Sequence, residues 1–445
     1  MSACPGDVKK QIDLLLPEPE MTQTLRPSTQ RIQLYPVFDK KMKILHITPA
    51  FQHPLVSVSH RHYHLIRELS QRHSITWLTL QRTAIAGDVL QEMASYTEGI
   101  VTVPVNGAAA PHQPSVFQRM RGPGRKVRYR MALQAAVVKM REQFRQLIKS
   151  NTFDVVLFHG RDCVSLIDDL RGLPVVVDFS DVASLRIRSK LPYVSPTRAL
   201  LLAMWYLQVR AIERRLVQST PHIAFMSLQD REAVLGPSAR AEVIPNGIDL
   251  SYWSRRSWNP RWNTLLFIGN LHRGPDADAA MRLIDHVLPR LRPHVPDLEL
   301  VLAGREPAAE LLKRAAAHPE VIVTCSADDV RDYLEQATLF VAPLRYVAGM
   351  PSRLQEALAM EVPIVTTSVA AEGLRVKRGE DPPVCVADTD DAFARRIVEL
   401  LRQPTERERM ARQGRRFAES HFSWRRNAEQ FERICINAHE ARNGS

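Results

Sequence analysis

The sequence predicts an α/β protein built from two Rossmann-like domains, each a doubly wound parallel sheet, facing a central cleft. Three observations carry that expectation. The chain has 445 residues, too many for one ordinary hydrophobic core and enough for a pair. Its composition, 45% apolar and 24% charged, is that of a globular protein and excludes collagen-like, disordered and disulfide-scaffold classes. Short apolar runs alternate with helical patterns from residue 42 onward, break near 247–262 and then restart.

The elements follow in order. Residues 1–41, with Pro17, Pro19, Pro27 and Pro36, lack periodicity and read as a loose N-terminal extension. Residues 42–48 (MKILHIT) are a buried strand stopped by Pro49. A helix over 60–72 turns Leu65, Ile66 and Leu69 inward, and strands follow at 74–80 and 99–104. Residues 105–124 are a Pro, Gly and Gln-rich loop, and 125–150 a helix. Strands at 153–158 and 174–179 precede a long helix at 196–219. A strand at 222–226 leads to a capping box, Ser227 with Asp230, and a short strand at 241–244 ends the first series.

The second series has strands at 264–268, 298–303, 321–324, 339–343, 363–367 and 384–387. Helices are expected at 277–291, 308–317, 330–336, 352–360, 390–403, 406–420 and 424–441. The domain expectation is therefore 42–247, a linker at 248–262, a second domain at 263–420, and a final helix from 421 to 445.

Net charge is +12, from 60 Lys and Arg against 48 Asp and Glu, and most of the excess lies between residues 42 and 250. It concentrates in 119–149, which includes Arg119, Arg121, Arg125, Lys126, Arg128, Arg130, Lys139, Arg141, Arg145 and Lys149 against Glu142. Such a stretch attracts an anionic membrane surface or an anionic acceptor, or is a solvated helix face. Nucleic acid is not expected as a partner, because no interleaved aromatics or reader motif accompany the charge. No run approaches the length of a membrane span, and the run 199–209 suits a buried or interfacial helix. The N-terminus lacks signal-peptide features. Five scattered cysteines without CxxC spacing read as reduced thiols of a cytoplasmic protein.

The sharpest motif is 349–360 (GMPSRLQEALAM). Gly349 permits close approach of a ligand to the backbone, and Met350, Pro351 and Ser352 lead into a helix whose free N–H groups suit an anion. Arg353 and Arg345 add fixed positive charge, and Glu356 can accept hydrogen bonds from a ribose diol. By themselves these residues equally describe a capped, salt-bridged helix. His60, His62 and His64 invite a zinc reading. On a helix, however, only His60 and His64 share a face, and no Cys or carboxylate cluster completes a set, so no metal is expected. GxSxG, HExxH, Walker A and GxGxxG patterns are absent.

Over 42–440 the chain resembles the family 4 retaining glycosyltransferases of GT-B fold. The residues that carry the resemblance are 243–249 (VIPNGID), 266–269 (LFIG), 300–304 (LVLAG), 323–330 (VTCSADDV), 341–345 (VAPLR), 349–360 and 421–424 (HFSW). The nearest pattern is that of bacterial polysaccharide-associated sugar transferases. The resemblance implies a sugar transferred, with retention and without a metal, from a nucleotide-sugar to a hydroxyl of a lipid-linked or polysaccharide acceptor. It implies no cofactor, since the nucleotide-sugar is a co-substrate, and a place on the inner face of the cytoplasmic membrane.

It also implies roles by position. The donor diphosphate and ribose would meet Arg345, Gly349, Met350, Pro351, Ser352, Arg353 and Glu356. The base would lie near Gly304, Cys325, Ser326 and Ala327. The first domain would bind the acceptor, with Asp181 (otherwise a helix N-cap) or His159 (otherwise a structural loop histidine) orienting its hydroxyl and Ser57, Ser59, Arg61, Arg125, Lys126, Arg128 and Arg130 on the acceptor or membrane side. The last helix would cross back to the first domain.

Departures from the pattern are specific. Ala348 stands where a first glutamate is usual, Ser180 where a histidine is, and Glu361 where a glycine is. Asn270 and Pro275 stand near the usual Arg and Lys, and the loop 49–59 (PAFQHPLVSVS) lacks glycine. These departures keep open an alternative, a non-catalytic GT-B binding or scaffold protein. A GT-B epimerase would free the diphosphate without an acceptor, and a phosphorylase would need a cofactor lysine for which no candidate stands out.

Overall fold

The computed structural model describes residues 41–56, 60–105, 123–257, 260–272, 274–324, 329–346 and 349–443. The expectations for the extension, for Ser57 and Ser59, for Cys325, Ser326 and Ala327, for Ala348 and for the side chains of Arg125 and Lys126 fall outside the described residues.

The first sheet is parallel and holds β1 (Lys43–Thr48), β2 (Ser74–Gln81), β3 (Gly99–Pro104), β4 (Val155–His159), β5 (Val175–Phe179), β6 (Ile223–Phe225) and β7 (Glu242–Val243). Its order is β3-β2-β1-β4-β5-β6-β7. Its helices are α1 (Arg61–Leu69), α2 (Gly87–Ser95), α3 (Pro123–Ser150), α4 (Ala183–Lys190), α5 (Pro196–Ser219) and α6 (Leu228–Leu235), with a 3-10 segment at Arg161–Leu170.

The second sheet, also parallel, holds β8 (Thr264–Ile268), β9 (Glu299–Ala303), β10 (Val321–Thr324), β11 (Leu339–Ala342), β12 (Ile364–Thr366) and β13 (Cys385–Val386), in the order β10-β9-β8-β11-β12-β13. Its helices are α7 (Pro275–Arg282), α8 (Leu288–Leu291), α9 (Ala309–Ala315), α10 (Arg331–Gln336), α11 (Ser352–Ala359), α12 (Ser368–Leu374), α13 (Asp390–Arg402) and α14 (Pro404–His421), followed by α15 (Trp424–Asn443).

The strand cores are continuous apolar runs because helices cover both faces. β4 (VVLFH), β5 (VVVDF) and β8 (TLLFI) are buried at every position. α3, the 3-10 segment and α5 lie on one face of the first sheet and α1 on the other, as right-handed crossovers running in opposite directions require. The chain returns through α15, which packs on α1, β4 and β5. No helix among the described residues is long and apolar enough to cross a membrane.

Several elements escape periodicity because they are short. α2 buries only Val89 and Met93, and α4 only Ala183, Ser184 and Ile187. The 3-10 segment buries Cys163, Leu166, Ile167 and Leu170. The helix expected at 277–291 is interrupted by a π turn at Leu283–Val287, ahead of Pro289, which lacks an N–H to donate.

Arg61, expected on the acceptor or membrane side, is instead 2% exposed. It donates to both oxygens of Asp178 at 2.9 and 3.0 Å. It also donates to the carbonyls of Ile244 (2.9 Å) and Pro245 (3.0 Å) and to the side-chain oxygen of Asn246 (3.0 Å). Its guanidinium lies 5.2 Å from the Phe431 ring centroid. The helix turns this residue inward because so many acceptors converge there that a buried cation is fully satisfied.

The basic stretch is also partly neutralised. Arg141 and Arg145 both pair with Asp169, which the 3-10 segment brings alongside.

Glu361 adopts φ +56°. Val362 N donates to Ala357 O and Glu361 N to Leu358 O, both at or below 3.2 Å, which is the Schellman stop of a helix. The position is left-handed, which accounts for the glycine usual there. Replacing Glu361 by Gly should therefore stabilise the protein by about 1 kcal/mol, read as a higher denaturation midpoint in urea. An unchanged or lower midpoint contradicts this reading.

Candidate functional site

Each sheet has one topological switch point, where successive crossovers leave in opposite directions and open a crevice beyond the strand ends. In the second sheet it falls between β8 and β11, and in the first between β1 and β4.

In the second sheet, β8 ends at Gly269 and β9 at Gly304. A Cβ on Gly304 would stand 2.2 Å from the Gly269 carbonyl, and one on Gly269 would stand 2.6 Å from Asp276. Small residues are needed for the loop to fold down here, where Asn270 N donates to Asp276 at 2.8 Å. β11 leads through Arg345 to Gly349, at φ +69°, and to Pro351, the N-cap of α11. Ser352 and Arg353 are exposed at that helix start, while Met350 is buried.

The two arginines are already paired. Arg345 holds Asp278 with two hydrogen bonds at 2.6 and 2.8 Å, and Arg353 donates to Glu356 at 2.7 Å. Burial pushes the Glu356 carboxyl up, and the charge of Arg353 opposes it. Asp276 is likewise pushed up by burial, against its hydrogen bond from Asn270 and the charge of Arg353. Arg353, Glu356 and Asp276 are thus neighbours in one crevice, whereas Arg345 stands at its rim.

At the first switch point Gly160 has φ +108°, and a Cβ there would lie 2.4 Å from Pro49. His159 Nδ1 lies 2.9 Å from the Asp178 carbonyl, and its Nε2 lies 3.1 Å from the Ser180 hydroxyl. A carbonyl only accepts, so Nδ1 donates to it, while Nε2 accepts from Ser180 in the neutral ring and donates to it in the charged one. His159 therefore reaches the Ser180 position from the neighbouring strand.

Behind it lies a buried group that the sequence concealed. His46 Nε2 and His62 Nδ1 are 3.0 Å apart, and His62 and His159 have ring centroids 4.1 Å apart. Burial, then the neighbouring His159, lowers His46 to about 3, and His62 falls well below its usual value for the same reasons. Asp178 is pushed up by burial, but Arg61 and His159 overcome this and hold it well below the carboxylate range. One ligand atom from each of His62, His159 and Asp178 lies within 4.8 Å of the others. Arg61 binds both Asp178 oxygens, so a cation already occupies the place a metal's charge would take.

Asp181 pairs with Arg186 at 2.8 Å, and its other oxygen is buried with no hydrogen-bond partner among the described residues. Beside it is Asp230, which sequence reasoning saw only as a capping residue. Burial, with Asp181 and Glu213 adding to it against the Ser227 hydrogen bond, pushes Asp230 up to about 7. Cys163 and Cys435 are pushed up to about 12 by burial, so neither is a reactive thiolate.

The two crevices meet. Met226, just past β6, lies 3.7 Å from where a Gly349 Cβ would stand. Tyr193 stacks on Tyr346 with centroids 5.6 Å apart.

Comparison with known proteins adds the family. Residues 263–403 match the family described as "Glycosyl transferases group 1". This segment is a glycosyltransferase group 1 domain.

Beyond the domain, the chain is similar to the glycogen synthase of Mycobacterium tuberculosis, 27% identical over 243 residues that cover 52% of this chain and 58% of that protein. It is similar also to the GDP-mannose-dependent alpha-(1-6)-phosphatidylinositol monomannoside mannosyltransferase of Mycolicibacterium smegmatis, 25% identical over 52% of this chain and 66% of that protein. The chain therefore spans a little over half to about two thirds of these relatives. Its fold is that of sucrose-phosphate synthase from Thermosynechococcus elongatus, a GT-B protein, with TM-score 0.63, 15% identity, and coverage of 90% of this chain and 100% of that one. The glycosyltransferase domain thus contains β8–β13 and the crevice at α11.

An acid held near 7 in the fold and near 3.8 when unfolded contributes stability that is full below 3.8 and is lost as pH rises through 7. Asp230→Asn should therefore gain in Tm relative to the parent chain as pH rises from 5 to 8. A difference independent of pH would show that Asp230 is ionised throughout that range.

Proposed function

We propose that this protein is a glycosyltransferase that moves a sugar from a nucleotide-sugar to a hydroxyl on a lipid-linked or polysaccharide acceptor. It would act with retention and without a metal, in cell-surface or exopolysaccharide synthesis, bound peripherally to the inner face of the cytoplasmic membrane. The observation that carries the reading is the crevice at the second switch point. A helix N-terminus, a left-handed glycine, a basic residue and a buried carboxylate converge there, inside a glycosyltransferase group 1 domain. The mannosyltransferase relative is named for its dependence on GDP-mannose, which supports a nucleotide-sugar as donor.

The chemistry requires stabilising the diphosphate as its bond to the anomeric carbon breaks. The amides at 350–353 and Arg353 would meet the phosphates, and Glu356, freed from Arg353, would hold the ribose. Arg345 would exchange Asp278 for phosphate. On the facing side, Ser180 and the Nε2 of His159 would orient the acceptor hydroxyl as its oxygen bonds to the sugar. Asp181 and Asp230 would lie along the same rim.

A second reading has one observation in its favour. Both arginines of the donor crevice are satisfied within the chain, as they would be in a scaffold that binds no nucleotide.

A thermal-shift screen against nucleotide-sugars and nucleoside diphosphates separates the two. Ligand at 100 times its Kd should add about 2.7 kcal/mol of stability, and Glu356→Gln should reduce the shift without lowering the Tm of the free protein. Absence of any shift favours the scaffold, and an unchanged shift in the variant removes Glu356 from the site.

A further inference from the structure

Helices α3 and α5 outrun the sheet they cover. α5 has 24 residues and α3 has 28, about 36 and 42 Å at 1.5 Å per residue. β4 and β5 beneath them have five residues each, about 17 Å. Crossover helices run antiparallel to their strands, so the N-terminal halves of α3 and α5 overhang the carboxyl ends of the strands, where the cleft lies.

From Ala199 to Leu207 the overhang of α5 is apolar on every side. Leu202, Tyr206 and Val209 pack inward on Ala183 and Ile187 of α4. Outward, Leu200, Leu201 and Leu207 are each 67% exposed, Met204 58% and Trp205 41%. At about 100° per residue, Leu200, Met204 and Leu207 form one stripe, with Leu201 and Trp205 beside it. α3 adds exposed Val127, Met131 and Val138 on the same face of the sheet. The exposed apolar stripe on α5 is of the kind that marks an interaction surface.

The charge around it selects the occupant. Arg188, Arg198 and Arg214 are exposed around the α5 stripe, and Arg128, Arg130 and Lys139 along α3. α4 has no carboxylate, and the single one on α5, Glu213, is buried. A second copy of this chain would bring like charges together, whereas an anionic bilayer supplies both an apolar interior and negative phosphates.

We propose that this rim is a membrane-docking surface. The outward side chains of α5 enter the boundary between head groups and acyl chains, and the arginines engage lipid phosphates. The proposal rests on the membrane-surface part of the proposed function and goes beyond it. It places insertion in α5, which begins three residues after Tyr193 and its stack on Tyr346.

The test is co-sedimentation of the full chain with vesicles of phosphatidylcholine alone and with phosphatidylglycerol, comparing the parent protein with the triple variant L200Q/M204Q/L207Q. These positions are solvent-facing, so folding is preserved. Binding to the anionic vesicles should weaken about tenfold or more in the variant, and a blue shift of tryptophan emission on binding should be lost in Trp205→Phe. Equal binding by the variant overturns the assignment to α5 while leaving the membrane reading intact. No binding by the parent protein overturns both. Loss of self-association in the variant, with no vesicle binding by either protein, makes the face an interface between copies and also overturns the proposal. The nucleotide thermal shift, measured alongside, reports on the transferase reading independently.

Discussion

The buried guanidinium of Arg61 is the constraint on which the joint between the first sheet and the segment leading to the second depends. It joins α1, the end of β5 and the connecting segment at 244–246 through charge-assisted hydrogen bonds. The rest of the crossover is fastened around that point. Asn427 donates to the Pro245 carbonyl at 2.9 Å and Gln355 to the Asn246 carbonyl at 3.0 Å. Ile248 N donates to Phe422 O at 2.7 Å. A Cβ on Gly247 would lie 2.5 Å from the Trp424 ring. The sequence Pro-Asn-Gly-Ile is thus explained by contacts with α1, α11 and α15. Removing one member of such a buried pair costs about 3–5 kcal/mol, a large part of an ordinary domain's stability.

That constraint also orders the acceptor crevice. Asp178 is held anionic by Arg61, its backbone carbonyl accepts from His159 Nδ1, and His159 Nε2 meets the Ser180 hydroxyl. Ser180 stands just past the end of β5, and β4 brings the His159 imidazole to its hydroxyl at 3.1 Å. At the donor crevice the carboxylates of Asp278 and Glu356 hold the two arginines in place. A diphosphate binding there would exchange one set of anions for another, which reduces the cost of leaving cations unpaired in the empty cleft.

Much of the fold is legible because strand and helix periods are strong where elements are long or fully buried. α5 begins and ends where Pro196 and Ser219 suggest, and the alternating pattern gives both parallel sheets. Elements of seven to ten residues with two to four buried side chains, such as α2, α4, α12 and the 3-10 segment, carry too little period to read.

The crevice of the second sheet is legible in the sequence, because its residues are contiguous in 345–356. The crevice of the first sheet is not. His46, His62, His159 and Asp178 are brought together from distant points of the chain, and no spacing announces them. Arg61 is misread from sequence because an arginine among histidines on an amphipathic helix resembles a solvent-facing residue. Asp230 is visible as a cap, but its buried neighbours Asp181 and Glu213 are not.

On the proposed function, the second-sheet crevice holds a nucleoside diphosphate at the start of α11. A crystal structure of the protein grown with a nucleoside diphosphate identified by thermal shift tests it directly. Phosphate density should lie against the amides at 350–353, with Arg353 turned from Glu356 onto a phosphate oxygen and Glu356 on the ribose. Nucleotide bound elsewhere, with the Arg353–Glu356 pair intact, would contradict it.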